Sequence, residues 1–188
     1  MYNLNEFYLK MTILLLGIMG SGKTTVGQII SQKLSLDFYE QDLLTLERSG
    51  FDSIFEAFNE RLSDWKMTEL EVSRELSYQE DQVIACSGGI IENELNLLYF
   101  KENCPELHTF YLYASPDVLL DRLATRTSSS NENQNLEDLE AKINKVFFKR
   151  DFLYRDYTDD VVDTDSLSPA TAAEFILDSI RNRRPDWE

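Results

Sequence analysis

A glycine-rich segment, GIMGSGKT, occupies residues 17–24 and follows directly on a run of four aliphatic residues. Its spacing, Gly17-x-x-x-x-Gly22-Lys23-Thr24, is that of a P-loop, a turn whose backbone N–H groups surround phosphate oxygens. Glycine permits turn conformations that a Cβ would exclude, and the helix that begins near Lys23 adds the positive end of its dipole. The chemistry expected here is the binding of a nucleoside triphosphate.

The side chains of this loop have separate predicted roles. Lys23 is expected to neutralise the terminal phosphates and so to take part in catalysis, and Thr24 to ligate Mg²⁺. The residues predicted to contact the nucleotide, taken as ATP, are Gly20, Ser21, Gly22, Lys23, Thr24 and Thr25.

A P-loop alone does not distinguish a GTPase, an ATPase and a small-molecule kinase. The chain is short, at 188 residues, and has no NKxD-like segment of the kind that reads guanine. A polar segment at residues 127–135, TSSSNENQN, predicts a mobile loop late in the fold. Such a loop can close over the site and exclude water, which a kinase requires. These features favour a small-molecule kinase.

Composition excludes several other classes of protein. The chain has 18 Lys and Arg against 34 Asp and Glu, a formal charge of −16, which argues against a nucleic-acid-binding surface. No apolar run approaches the ~20 residues of a membrane span, and the first ten residues do not read as a secretion signal. We therefore expect a cytoplasmic protein that binds neither nucleic acid nor membrane. Its small size and like-charge repulsion favour a monomer.

Apolar runs of strand length alternate with amphipathic helical patterns, which predicts a parallel sheet joined by right-handed crossovers. Predicted strands lie at residues 12–16, 37–40, 83–87, 109–114 and 161–162. Predicted helices cover residues 23–34, most of 42–79, 92–103, a segment from Pro116, 136–157, and a segment from Ser168-Pro169. Ligands bind at the carboxyl ends of such strands, so residues 17–24, 40–42 and 87–89 are expected at one edge. The whole chain, 1–188, reads as one domain with residues 1–10 as an extension.

Several segments together resemble the bacterial shikimate kinases. GIMGSGKTTVGQIISQKLSLDFYEQDLLTLERSG is similar to the opening of that family, and VIACSGGII to its third-strand glycine motif. YLYASPDVLLDRL and RDFLYRDYTDDVVDTDSLSPATAAEFIL fit as well, so the resemblance covers residues 12–180. It implies a three-layer α/β P-loop kinase fold, with a five-stranded parallel sheet in the order 2-3-1-4-5 between helices. It also implies a mobile lid at about 126–136 and an acceptor-binding helical region at about 42–79.

The activity implied by this resemblance is transfer of the γ-phosphoryl group of ATP to a hydroxyl of a small carboxylated acceptor. Shikimate, giving shikimate 3-phosphate, is the first candidate. Asp42 matches the aspartate that holds the acceptor hydroxyls and draws off a proton, although an Asp here also suits a helix N-terminus. Gly88 and Gly89 match glycines that approach the acceptor ring. Arg150 matches the arginine that grips its carboxylate, and a guanidinium suits that bidentate contact.

Three further positions are assigned by the resemblance alone. Glu40 falls where the family has an aspartate near the magnesium water shell. Arg126 corresponds to a nucleotide-contacting arginine at the base of the lid. Lys66 aligns with a second substrate arginine, with Glu69 as an acidic neighbour. The segment 162–165 resembles the adenine-side loop.

The chain departs from the family pattern at three places. Lys66 replaces an arginine, and an ammonium cannot form the same bidentate contact. Ser87 replaces the first of three glycines, and its side chain either is tolerated or points at the magnesium region. No Lys or Arg occurs between Arg126 and Lys142, where the family carries a lid arginine. Two alternatives therefore stay open: a kinase of another small hydroxy acid such as gluconate, and a nucleotide-binding protein of low activity.

Overall fold

A single parallel sheet organises the chain. The structure, a computed structural model, describes residues 10–54, 56–57, 61–129 and 135–184, and of 126–129 it describes the backbone alone. The strands of the described part are β1 (Met11–Leu16), β2 (Asp37–Glu40), β3 (Gln82–Ala85), β4 (Glu106–Tyr113) and β5 (Asp160–Asp163). They lie in the order β2-β3-β1-β4-β5, and every neighbouring pair is parallel. The predicted fold class and strand order are confirmed.

Helices cover both faces of this sheet. They are α1 (Lys23–Leu34), α2 (Gln41–Ser49), α3 (Leu62–Leu76), α4 (Glu94–Asn103), α5 (Pro116–Ser129), α6 (Leu136–Tyr157) and α7 (Pro169–Arg183). One face of the sheet packs against α1 and α7. The other packs against α3, α4, α5 and α6, and α2 lies against α3. A short 3₁₀ turn, Ile90–Glu92, leads from β3 to α4.

The central strand β1 is buried along its whole length. Ile13 and Leu15 point toward α1 and α7, whereas Leu14 and Leu16 point toward α3 to α6. Because both faces of the strand are covered, its sequence is a continuous apolar run rather than an alternating one. The P-loop therefore leaves a strand held rigidly from both sides.

Some boundaries differ from those predicted. The third strand ends at Ala85 rather than residue 87, and the helix expected from residue 92 begins at Glu94, after the 3₁₀ turn. Asn93 determines that start, because its side chain accepts a hydrogen bond from the Leu95 N–H at 3.2 Å. β4 begins at Glu106, three residues earlier than expected.

The loop predicted at residues 127–135 begins later than expected, and the lid predicted at about 126–136 stays a prediction. Residues 126–129 continue α5 as its last turn. Asn135 caps α6, accepting from the Glu137 N–H at 3.1 Å. The rest of the predicted loop, residues 130–134, and residues 1–9 of the predicted extension lie outside the described residues. Among the described helices, none combines the length and apolarity needed to cross a bilayer.

Two adjacent residues of α1 test which face of this helix packs on the sheet. Ile30 is fully buried, whereas Ile29 is half-buried at the edge of the same cluster. We expect Ile30→Ala to lower the free energy of unfolding by about 2–5 kcal/mol, because it leaves a cavity in a packed core. Urea denaturation measures this, and Ile29→Ala is the matched control with a clearly smaller loss. Equal losses would contradict the packing described for α1.

Candidate active site

The P-loop is shaped by backbone conformations that favour glycine. Gly17 has φ +148°, and a Cβ there would lie 2.7 Å from the Leu112 carbonyl oxygen of β4. Gly22, at φ +99°, is the left-handed N-cap of α1. An L side chain is strained in this region of φ, so the predicted glycine roles have a direct structural basis. The loop opens onto the N-terminus of α1, where free N–H groups can hold an anion.

Lys23 is folded back into the loop that precedes it. Its Nζ donates to the carbonyl oxygens of Gly17 at 2.8 Å and Ile18 at 3.2 Å. Loss of hydration lowers the pKa of Lys23, and the nearby carboxylates of Asp42 and Glu40 oppose this shift. The ammonium is thus held inside the loop by neutral partners that a phosphate oxygen can replace.

The two predicted metal-binding residues meet at the end of β2. The Oγ1 of Thr24 donates to Oε1 of Glu40 at 3.1 Å, so the longer side chain of glutamate reaches the P-loop. No group of three or more His, Cys, Asp or Glu side chains converges within the described part of the chain. The Thr24 hydroxyl and the Glu40 carboxylate form a donor set that suits Mg²⁺. This ion binds through few protein oxygens and keeps waters and phosphate oxygens as its other ligands.

Asp42 lies on the first turn of α2, directly after β2. It lines a small cavity of about 90 Å³ together with Lys23, Thr24, Glu40 and Gly88. The structure therefore brings the predicted catalytic pair, the metal pair and one acceptor-site glycine around one space. Its size matches a few water molecules, or a small group between the phosphate site and the acceptor site.

A larger cavity of about 510 Å³ lies on the other side of the P-loop. Its lining comes from the P-loop, α1, α5, the segment after β5 and the start of α7: Gly20, Ser21, Gly22, Thr25, Val26, Asp121, Arg122, Thr125, Thr164, Leu167, Pro169 and Ala172. This volume is typical of a small-molecule site. The segment expected on the adenine side contributes Thr164, and predicted nucleotide residues of the P-loop line the opposite wall.

Arg122, which the sequence analysis missed, joins the two walls of this cavity. Its guanidinium donates to the carbonyl oxygen of Gly20 at 3.3 Å and to that of Thr164 at 2.6 Å. It also donates to the Thr164 hydroxyl at 3.1 Å. Arg126, the arginine predicted to contact nucleotide, lies one helical turn further on, and its side chain is outside the described residues. No local spacing in the sequence signalled Arg122, because its partner Thr164 is 42 residues away.

The predicted acceptor residues also meet, at the turn after β3. A Cβ placed on Gly88 would lie 3.6 Å from Nη1 of Arg150, and one on Gly89 would lie 3.8 Å from its Nη2. The Glu69 carboxylate lies 3.9 Å from the same position at Gly89. Tyr154 fixes the turn, since its hydroxyl donates to the Gly88 carbonyl oxygen at 2.6 Å. An absent side chain at these glycines leaves space directly in front of the guanidinium.

The contacts of Ser87 are within the acceptor turn and with Gln41 and Glu69. Its Oγ accepts from the Gly89 N–H at 3.3 Å, and its N–H donates to Oε1 of the buried Gln41 at 2.9 Å. Burial raises the pKa of Glu69, and a hydrogen bond from Ser87 to that carboxylate opposes the shift. Of the two alternatives left open by the sequence, the side chain is therefore tolerated and closes a hydrogen-bonded turn.

Lys66 pairs with Glu92, a residue of the 3₁₀ turn that sequence reasoning also missed. Its Nζ lies 3.6 Å from Oε2 of Glu92, which Lys149 also contacts at 2.6 Å. The other oxygen, Oε1, accepts from Arg150 at 2.6 Å. Partial burial raises the pKa of Glu92, but hydrogen bonds from Lys149 and Arg150 outweigh it and lower the value to about 2. No spacing in the sequence signalled this cluster.

The role of Arg122 can be tested by nucleotide binding alone. We expect Arg122→Ala to weaken the binding of ATP about tenfold or more, because hydrogen bonds from a charged group to both cavity walls are lost. Calorimetry measures the Kd. Arg181→Ala is the control, since Arg181 is an exposed arginine that pairs with Asp178 of its own helix. An unchanged Kd in a folded Arg122→Ala protein would contradict this assignment.

Known proteins are similar to this chain over most of its length. The family model for shikimate kinase matches residues 19–181. A shikimate kinase of Marinomonas sp. (strain MWYL1) is 38% identical over 90% of this chain and 91% of its own. The solved shikimate kinase of Acinetobacter baumannii, in complex with shikimate, has a TM-score of 0.80 at 26% identity and covers 94% of this chain and 96% of its own.

A gluconokinase of Sinorhizobium meliloti has a TM-score of 0.67 at 18% identity, covering 95% of both chains, which shows a shared fold alone. The family model extends from the P-loop to the last helix, and the curated relative covers 90% of the chain. The chain therefore belongs to the shikimate kinase family, ATP-dependent phosphotransferases that act on an alcohol.

Proposed function

We propose that this protein transfers the γ-phosphoryl group of ATP to the 3-hydroxyl of shikimate in the presence of Mg²⁺. One observation carries the proposal: Arg150 presents its terminal nitrogens to the Gly88–Gly89 turn, on the sheet edge that also carries the P-loop. A carboxylate held by this guanidinium places the rest of a small acceptor toward Lys23 and Asp42. Such positioning of two reactants is itself a large part of catalysis.

The nucleotide half of the mechanism rests on the P-loop. The N–H groups at the start of α1 and the Lys23 ammonium bind the β- and γ-phosphates, with Lys23 exchanging its carbonyl partners for phosphate oxygens. Arg122 and Thr164 support the remainder of the nucleotide in the 510 Å³ cavity. Binding of ATP at this place agrees with the family to which the chain belongs.

Thr24 and Glu40 are the residues proposed to hold Mg²⁺, Thr24 directly and Glu40 through its water shell. Their oxygens lie 3.1 Å apart at the mouth of the small cavity. When bound, the ion supplies charge neutralisation at the phosphate oxygens. Glu40 carries the same charge as the shorter aspartate expected there, and its extra methylene gives it the reach to contact Thr24.

Asp42 is proposed to orient the attacking hydroxyl and to accept its proton. Its carboxylate faces the same 90 Å³ cavity as Lys23. A carboxylate can accept hydrogen bonds from two hydroxyls at once, which fixes a polyhydroxylated ring in one orientation. Gly88 and Gly89 allow the ring to approach the backbone, and Arg150 holds the carboxylate at its far side.

The sequence predictions of a monomeric state and a cytoplasmic location are retained as part of this proposal. The strong net negative charge of −16 supports the first through repulsion between copies.

The acceptor is tested by a panel of small hydroxy acids. We expect purified protein with ATP and Mg²⁺ to release ADP in the presence of shikimate and not with gluconate. A coupled ADP assay measures the rate, and mass spectrometry of the product checks that one phosphate is added. Lys23→Ala should abolish turnover, whereas Lys33→Ala, which removes a surface ion pair with Glu174, should leave it unchanged.

Two results of this panel would contradict the proposal. Turnover with gluconate alone would identify a kinase of a different hydroxy acid. ATP binding without turnover on any acceptor would identify a nucleotide-binding protein of low activity. The arginine-free stretch before Lys142 is the sequence feature that makes the second result worth testing.

Asp42 can be separated from the nucleotide site by an isosteric change. We expect Asp42→Asn to lower kcat by a factor of about 10²–10⁴, the usual contribution of a positioned base, with the Kd for ATP nearly unchanged. Steady-state kinetics and calorimetry measure the two quantities. Asp64→Asn, an exposed residue in the first turn of α3, is the control. A collapse of ATP affinity in Asp42→Asn would show that Asp42 serves the nucleotide site instead.

A further inference from the structure

We infer that Glu92 is a positioning residue for the acceptor carboxylate: it holds one edge of Arg150 so that the other edge faces the Gly88–Gly89 turn. This inference rests on the proposed function, because it concerns how the same site holds its acceptor. It gives a role to a residue of the 3₁₀ turn that the sequence did not single out.

The geometry of the guanidinium carries the first step. Oε1 of Glu92 lies 2.6 Å from both Nε and Nη2 of Arg150, so the contact uses one edge of the planar group. Because the group is a rigid fork, fixing that edge fixes the direction of the opposite one. Nη1 and Nη2 then lie 3.6 Å and 3.8 Å from the Cβ positions that Gly88 and Gly89 leave vacant. Of the five N–H groups of Arg150, two face Glu92 and one hydrogen-bonds with Tyr154, which leaves two for a second carboxylate.

Charge supplies the second step. Three cations, Lys66, Lys149 and Arg150, converge on the carboxylate of Glu92. The Glu69 carboxylate also interacts with Lys66 and Arg150, so three cations face two acids and the cluster keeps a net positive charge. The excess suits a second anion at the same place. Without Glu92 the three cations would repel one another, and Arg150 would lose the ion pair at 2.6 Å that holds its guanidinium over the turn.

Burial identifies which of these contacts matters most. The Arg150 and Glu92 side chains are 16% and 13% exposed, whereas Lys149 is 60% exposed and Lys66 is 39% exposed. Exposed ion pairs are weakened by solvent and salt, and the Arg150–Glu92 contact is shielded from both. Glu92 therefore acts chiefly on Arg150, while the two lysines keep its second oxygen occupied.

The location of Glu92 gives the contact a mechanical basis. Glu92 ends the 3₁₀ turn whose first residue, Ile90, is fully buried and donates its N–H to the Ser87 carbonyl oxygen at 3.2 Å. The carboxylate is thus attached to the same short turn that presents Gly88 and Gly89. The pairing of Glu92 with Arg150 therefore fixes the position of the guanidinium relative to those two glycines.

The test is whether Glu92→Gln raises the KM for shikimate without changing kcat or the KM for ATP. This change keeps the shape of the side chain and removes its charge. We expect the KM for shikimate to rise about tenfold, while kcat and the KM for ATP stay within about twofold of wild type. Glu94→Gln is the matched control, since Glu94 is an exposed acid two residues away and should leave all three constants unchanged.

A second variant and a direct binding measurement distinguish a positioning role of Glu92 from a folding defect. Lys101→Met removes an exposed cation of α4 that is not part of this cluster, so it should change the KM for shikimate less than twofold. Calorimetry with shikimate in the presence of ADP should reproduce the tenfold weakening for Glu92→Gln.

The possible results separate this inference from the proposed function. A wild-type protein that neither binds nor phosphorylates shikimate refutes the proposed acceptor itself. An active wild type with an unchanged KM in Glu92→Gln overturns the positioning role alone. A lower KM in Glu92→Gln also overturns it, since Glu92 would then compete with the acceptor carboxylate for Arg150.

Discussion

The parallel pairing of β1 with β3 determines where every part of the site can lie. Leu15 pairs with Ala85, and the Cys86 N–H continues the ladder to the Leu15 carbonyl oxygen at 3.0 Å. The two strands therefore end together, and the loops that follow them leave the sheet side by side. A Cβ on Gly88 would lie 3.6 Å from the Gly17 carbonyl oxygen. The phosphate loop and the acceptor turn are neighbours because two buried strands are neighbours.

Lys23 and Arg150 each have an internal hydrogen-bond partner, and the two partners differ in charge. Lys23 donates to neutral carbonyl oxygens, which a phosphate can displace without separating a pair of opposite charges. Arg150 instead faces the carboxylate of Glu92, whose lowered pKa of about 2 keeps it charged at any working pH. A phosphate can therefore replace the carbonyl partners of Lys23, whereas an acceptor carboxylate must bind Arg150 while its contact with Glu92 persists.

The parts that sequence predicted follow from local patterns. The P-loop spacing identified the phosphate site, and the alternation of strands with helices identified the sheet edge where it lies. Arg122 and Glu92 were missed because their partners are distant in sequence: Arg122 meets Thr164, and Glu92 meets Arg150. Such contacts depend on which helices pack together, which no single segment encodes. The helix through residue 129 was missed because the helix propensities of Ser and Thr are only moderately unfavourable, so a Ser-rich stretch is compatible with a helical turn as well as with a loop.

The serine that replaces a family glycine is accommodated by a buried polar network beneath the acceptor turn. Gln41 donates to Ser73 at 2.7 Å and accepts from the Ser87 N–H, which ties α2 and α3 to the turn. Asn96 of α4 lies 2.8 Å from the Ser73 hydroxyl and extends the network toward Glu69. A buried network of this kind is costly when any member lacks a partner, so the Ser87 hydroxyl adds a donor where the buried Glu69 carboxylate needs one. The departure at residue 87 therefore stabilises the turn that faces Arg150, and it leaves the glycines that must approach the acceptor unchanged.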